Sequence, residues 1–162
     1  AGSVGVRTAL IAAALVGSLA VDYYMERWTV TSVTPRVERV ESLDAGTLQA
    51  LQDRDIRYLT QLEGWEADAH WSALQKTLEP QQYADLQRLT ALYLHQGIGV
   101  DYGNWLVRAG IGSLEILGAS SAEEVLEKLQ ASAPAAPLPT LARVRVWIRR
   151  VTTSRISGPI RW

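Results

Sequence analysis

Glu66 and His70 stand four residues apart in a stretch that reads as helix, a spacing that puts both side chains on one face. Such a pair can help hold a metal ion only if a third ligand converges on it, and no third ligand shares the spacing. A surface ion pair is the expected role. His95 precedes a Gly-Ile-Gly turn, where a cationic or donor side chain suits the end of a helix. The acidic pairs Asp53/Asp55 and Glu123/Glu124 fall in helical or capping contexts and read as solvated faces. Cysteine is absent, which removes disulfides, thiolate metal sites and a Cys nucleophile. No phosphate loop, dinucleotide fingerprint, nucleophile elbow or metal motif is present. Trp65, Trp71, Trp105 and Trp147 read as core or interface anchors, the usual use of so large a side chain with one polar atom. The expectation is a protein that is not an enzyme, with no catalytic residue, no metal and no cofactor.

Charge is more informative than its total. The net value is −1, yet Thr29–Leu138 holds eight basic and fifteen acidic residues, or −7. From Pro139 onward there are six arginines (143, 145, 149, 150, 155 and 161) and no acid, or +6. An acidic body with a basic end points to an anionic partner for that end. The chain has 162 residues, 48% of them hydrophobic, with six Trp, six Tyr and no Phe. That suffices for one ordinary domain of about 130 residues behind an N-terminal segment.

The N-terminal segment, residues 1–28, reads as a membrane anchor. Thr8–Val21 is an unbroken weakly apolar run, extended toward the amino terminus by Val4, Gly5 and Val6. Arg7 can snorkel to the near interface, and Tyr23, Tyr24 and Trp28 stand where an aromatic belt belongs. The rival reading is a cleavable signal peptide. Ala9, Ala13 and Gly17 recur at every fourth position, a small face that lets another helix approach closely. Arg27, Arg36 and Arg39 after the span outweigh Arg7 before it, so the positive-inside rule favours a cytoplasmic C-terminal domain at a bacterial inner membrane.

Behind a linker over 29–40, the chain is helical by pattern and repeats itself. At a shift of 55 residues Leu51 meets Leu106, Ile56 meets Ile111, Leu62 meets Leu117, Ala67 meets Ala122, and Leu74 meets Leu129. The apolar spacings are threes and fours, as a helix face requires. The two copies are expected over 41–95 and 96–152, with a basic tail over 153–162. Helices are expected from Pro80 to His95, Val100 to Ala109, a short one opened by Ser113, Ala122 to Ala131 behind a Ser121…Glu124 capping box, and Thr140 to Thr152. Gly97-Ile98-Gly99 supplies a tight hairpin, and Gly110 a helix stop.

Gln96 to Gly103, followed by Leu106-Val107-Arg108-Ala109-Gly110-Ile111 and Leu114, resembles a helix–hairpin–helix unit. With Leu138-Pro139-Thr140-Leu141 and Val144-Arg145-Val146-Trp147-Ile148, the stretch from about Val37 to Val151 resembles a bacterial family of tandem helix–hairpin–helix proteins whose function is unknown. The resemblance implies a compact helical domain, with DNA or protein binding by analogy only. DNA-binding members of the family contact phosphate through hairpin backbone N–H groups, helped by nearby Lys or Arg. This sequence departs from that pattern. Ser42 and Asp44 stand where the second copy has Gly97 and Gly99, Asp101 follows the second hairpin, and no basic residue appears there until Arg108.

The expected fold is therefore all-α: a single transmembrane helix plus a tandem helix–hairpin–helix domain. The expected function is that of a non-catalytic accessory or scaffold subunit of a large membrane complex, such as a bacterial photosynthetic reaction centre with its antenna or a respiratory complex. Its partners would be the other subunits and membrane lipids. A membrane-tethered nucleic-acid-binding protein and a free-standing membrane adaptor are the alternatives. Arg155, Ile156, Ile160, Arg161 and Trp162 form a candidate docking tail, since Arg and Trp often dominate binding energy. Phosphate binding needs compensating cationic charge, which neither hairpin has. The chain should form no sequence-specific DNA complex at physiological salt in an electrophoretic mobility assay, and a nanomolar specific complex would reverse that expectation.

Overall fold

The computed structural model describes residues 35–132 and 137–156. Arg7, Ala9, Ala13, Gly17, Tyr23, Tyr24 and Trp28, expected to form a membrane anchor, lie outside the described residues, as do Ile160, Arg161 and Trp162 of the expected tail. Seven α-helices are described: α1 (Ala45–Gln52), α2 (Ala67–Gln75), α3 (Pro80–Leu94), α4 (Gly99–Arg108), α5 (Leu114–Ala119), α6 (Ala122–Ser132) and α7 (Leu141–Ile156). Two 3-10 turns, Val37–Arg39 and Leu59–Leu62, complete the set. Among the described residues there is no strand; a single antiparallel bridge joins Arg36 to Tyr58. The described part is all-helical, and none of its helices is long and apolar enough to cross a membrane.

The helix boundaries have local causes. Pro80 starts α3 at a position where its missing N–H costs nothing, and the Gln82 side chain accepts the Glu79 N–H at 3.1 Å. Ser113 accepts the Ile116 N–H at 3.3 Å ahead of α5. Ser121 accepts the Glu124 N–H at 3.2 Å ahead of α6. α1 and α4 end alike. Ile56 N donates to Leu51 O at 3.0 Å, and Ile111 N to Leu106 O at 2.8 Å. Asp55 N reaches Gln52 O at 2.9 Å, and Gly110 N reaches Val107 O at 3.0 Å. Asp55 (φ 53°) and Gly110 (φ 82°) both take the left-handed conformation that this helix stop requires. Leu51, Ile56, Leu106 and Ile111, the apolar pair of each stop, are all fully buried.

These matches fall at the same 55-residue shift. So do α1 on α4, the Leu59–Leu62 turn on α5, and α2 on α6. α7 matches α3 only from Leu86 onward, because the Pro-bearing stretch before Leu141 delays its start. One continuous core runs through both halves, from Val37 and Leu51 to Leu129, Trp147 and Val151. α7 packs on α5 and α6, and α3 packs on α4. Two glycines permit the closest approaches. A Cβ on Gly103 would stand 2.7 Å from the Tyr93 ring, and one on Gly118 would stand 2.9 Å from Val151 Cγ1.

Two boundaries differ from the sequence expectation. The linker expected over 29–40 gives way at Pro35, where the compact unit begins. Val37 and Val40 are buried there, and Val37 N and Leu59 N bond across to Arg57 O and Pro35 O at 3.0 and 2.9 Å. At the other end α7 runs to Ile156, so Arg155 and Ile156 continue a helix where a tail was expected from 153. Because Leu51 and Leu106 occupy matching, fully buried places, Leu51→Ala and Leu106→Ala should each lower unfolding stability by roughly 2–5 kcal/mol in urea titrations. A loss below about 1 kcal/mol at either position would contradict their core role.

Candidate functional site

The turn singled out from the sequence is built as glycine chemistry demands. Gly97 and Gly99 have φ of 87° and 67°, and Ile98 between them is buried. A Cβ on Gly97 would come within 3.1 Å of Trp147 Nε1, a tight contact at a position whose φ already favours glycine. His95 ends α3, as expected, and its Nε2 lies 3.1 Å from the Trp147 carbonyl oxygen. The turn is thereby fastened to α7. Asp101, in the first turn of α4, pairs with Arg39 at 3.1 Å.

The corresponding place in the first half is occupied by the chain itself. Asp44 caps α1, accepting the Thr47 N–H at 2.9 Å, the Thr47 hydroxyl, and the Gln82 side-chain amide at 2.9 Å. The Thr47 hydrogen bonds hold its carboxyl below the ordinary aspartate value. An anion seeking the N-terminus of α1 would have to displace this carboxylate. Beside it lies an open groove of about 380 Å³, with Leu43, Leu86 and Leu89 along it and Asp44, Gln82 and the Asp85–Arg88 ion pair among its polar residues. Ile116, also in the groove, is partly exposed.

A buried polar centre was missed by sequence reasoning. Asn104 accepts the Tyr93 hydroxyl at 2.6 Å and the Glu41 N–H at 3.1 Å, and donates to Arg39 O at 2.9 Å. Burial pushes the Tyr93 phenol up from its ordinary value. Above it, Arg108 Nε donates to Glu41 at 2.8 Å, closing the rim of a second hollow of about 190 Å³. Asn and Tyr eleven residues apart carry no motif, so only the packing of α3 on α4 reveals them.

The other candidates divide. Trp147 is core at 1% exposure. Trp71 is half-buried and donates to Leu62 O at 3.0 Å, and Trp105 meets Tyr102 edge to face at 5.4 Å. Trp65 is 91% exposed in the loop behind Gly64. Glu66 and His70 make the backbone bond of a helical turn at 3.3 Å and no ion pair. Glu66 caps α2, and its side chain accepts no capping bond. Glu123 and Glu124 pair with Arg145 and Lys128 at 2.8 and 2.7 Å. Asp55 pairs with Arg57 at 2.8 Å, and Asp53 accepts from Gln49 at 2.7 Å. Among the described residues no cluster of His, Asp and Glu is placed to hold a metal ion.

Comparison with protein-family models, with curated proteins and with solved structures returns no match. The geometry of the described residues therefore carries the functional argument by itself. It assigns one buried polar side chain, Asn104, to holding the 39–41 segment on α4. Asn104→Ala would leave the Tyr93 hydroxyl, the Glu41 N–H and the Arg39 carbonyl without their partner. It should lower unfolding stability by about 2–4 kcal/mol and speed hydrogen exchange at Glu41. Unchanged exchange at Glu41 would show that the segment is held by something else.

Proposed function

We propose that this chain is a non-catalytic, membrane-anchored accessory subunit that stabilises a large membrane protein complex. The observation that carries the reading is the Thr8–Val21 apolar run, framed by Arg7 and by Tyr23, Tyr24 and Trp28, placed ahead of a separate compact helical unit that begins at Pro35. In this reading the run spans the membrane once. Ala9, Ala13 and Gly17 pack against neighbouring spans, where small residues allow backbones to approach. The helical unit sits on the cytoplasmic side of a bacterial inner membrane and docks on extramembrane surfaces of other subunits. A photosynthetic reaction centre with its antenna, or a respiratory complex, is the kind of host proposed.

The helical unit itself is proposed to be a tandem helix–hairpin–helix domain used as architecture. The shared stops of α1 and α4 at Asp55 and Gly110 support two copies of one unit. The carboxylate of Asp44 at the start of α1, and the seating of Gly97 on Trp147, support an architectural use over phosphate binding. Trp65, exposed and without a packing role, is the kind of side chain that anchors protein contacts.

Two measurements test the proposal. Carbonate washing should leave the chain in the membrane pellet, and extraction in mild detergent should recover it with a fixed set of membrane subunits identified by mass spectrometry. Release by carbonate would remove the anchor. Recovery of the chain alone would remove the accessory role.

A further inference from the structure

We propose that the outer face of α7 lies on the anionic lipid headgroups of the leaflet next to the anchor, an inference that rests on the membrane-anchored reading above. α7 buries Val144, Trp147 and Val151 in the core, which turns the opposite side of the helix outward. Arg143 and Arg150, seven residues apart, fall on one flank of that outer side. Arg145 and Arg149, four apart, fall on the other. Between the flanks stand Ala142, Val146 and Thr153, short uncharged side chains that do not hold the guanidinium groups away from a flat surface.

The four arginines are not equally occupied. Arg143 Nη1 donates to the Tyr102 hydroxyl at 3.2 Å and lies 5.7 Å from the centre of that ring. Arg145 pairs with Glu123 at 2.8 Å. Arg149 and Arg150 are exposed and have no acidic partner among the described residues. The +6 end of the chain stands against a −7 body. A negatively charged leaflet attracts one and repels the other, so the surface potential orients the unit with α7 downward. Attraction of this kind falls away within a Debye length, about 8–10 Å at ordinary salt. The tether makes that distance reachable. Thirteen residues separate Val21 from Pro35, a span of at most roughly 45 Å when fully extended. An unattached basic helix would bind such a surface weakly, and attachment makes the contact effectively intramolecular.

The absence of cysteine makes the test direct. The full chain carrying Ala142→Cys, labelled with a single environment-sensitive fluorophore, is placed in nanodiscs of phosphatidylcholine alone or with phosphatidylglycerol added. The proposal expects quenching by a water-soluble neutral quencher to fall several-fold in the anionic discs relative to the neutral ones. The protection should disappear in high salt and in Arg149→Glu/Arg150→Glu, and persist in Arg149→Lys/Arg150→Lys, because headgroup attraction depends on charge more than on guanidinium shape. Equal quenching in the two kinds of disc overturns the proposal. So does protection that is equally strong in neutral discs, which would mean that a protein surface covers α7. Co-elution of the chain with the neutral discs reports the anchor separately. Incorporation without anionic protection defeats only the α7 contact, whereas failure to incorporate defeats the anchored reading and this inference with it.

Discussion

The fold turns on the seating of Tyr93 against α4. Its ring lies where a side chain on residue 103 would have to be, so only glycine lets α3 and α4 come this close. Its hydroxyl meets Asn104 at 2.6 Å, and Asn104 then holds the backbone on both sides of Val40 through Arg39 O and Glu41 N. A buried amide tolerates few arrangements, because each unmade hydrogen bond costs about 1–3 kcal/mol. The register of α3 on α4, and the course of the chain leading into α1, are therefore set together. The 55-residue shift places Leu48 and Gln49 where Gly103 and Asn104 stand, so this polar centre belongs to the join between the halves and has no copy.

The second half is closed by α7 in a comparable way, with an apolar contact in place of a polar one. Trp147 lies over Gly97, and Val151 lies over Gly118. A Cβ would crowd the neighbour at both places, more severely at Gly118 (2.9 Å) than at Gly97 (3.1 Å). With its apolar side committed to the core, α7 has only its arginine-bearing side left for solvent. Arg143, Arg145, Arg149 and Arg150 are thus carried on one helix, which gives their backbone positions a regular spacing. Pre-organised charge binds at a lower entropic cost than charge on a disordered segment.

Several helix starts are capped by the chain's own side chains. Asp44, Ser113 and Ser121 each cap the helix they precede. Gln82 serves two ends at once, accepting the Glu79 N–H of its own helix and donating to Asp44 at the start of α1. Arg54 likewise ties α1 to α2, donating to Ala50 O at 3.0 Å, to Ala73 O at 3.4 Å and, just beyond α2, to the Thr77 hydroxyl at 2.5 Å. The Gln82 and Arg54 bonds link neighbouring elements. Facing outward are the Trp65 ring, at 91% exposure, and Arg149 and Arg150, which have no acidic partner among the described residues.

Much of this architecture follows from local chemistry and is readable in the chain. Apolar residues at threes and fours placed the helices, Pro80, Ser113, Ser121 and Gly110 placed their ends to within a residue or two, and the 55-residue shift anticipated the matching burial of Leu51 and Leu106. Each of these signals acts over one or two helical turns, which is why sequence alone reveals it. What tertiary structure decided acts across the fold. The shift equates Asp55 with Gly110, but an aspartate gives no sign that it will adopt φ 53°. Glu66 and His70 have the spacing of a pair, yet they form no bond beyond the backbone, since spacing brings side chains near without fixing their rotamers. Residues 35–40 read as linker because their apolar content is slight, but Val37 and Val40 fit the core. Trp65 and Trp147 are the same residue type, one in solvent and one in the interior, and only the approach of α7 to the Gly97 turn distinguishes them. Asn104 gave no signal at all, because its role exists only once Tyr93 and the Arg39–Glu41 segment are packed against it.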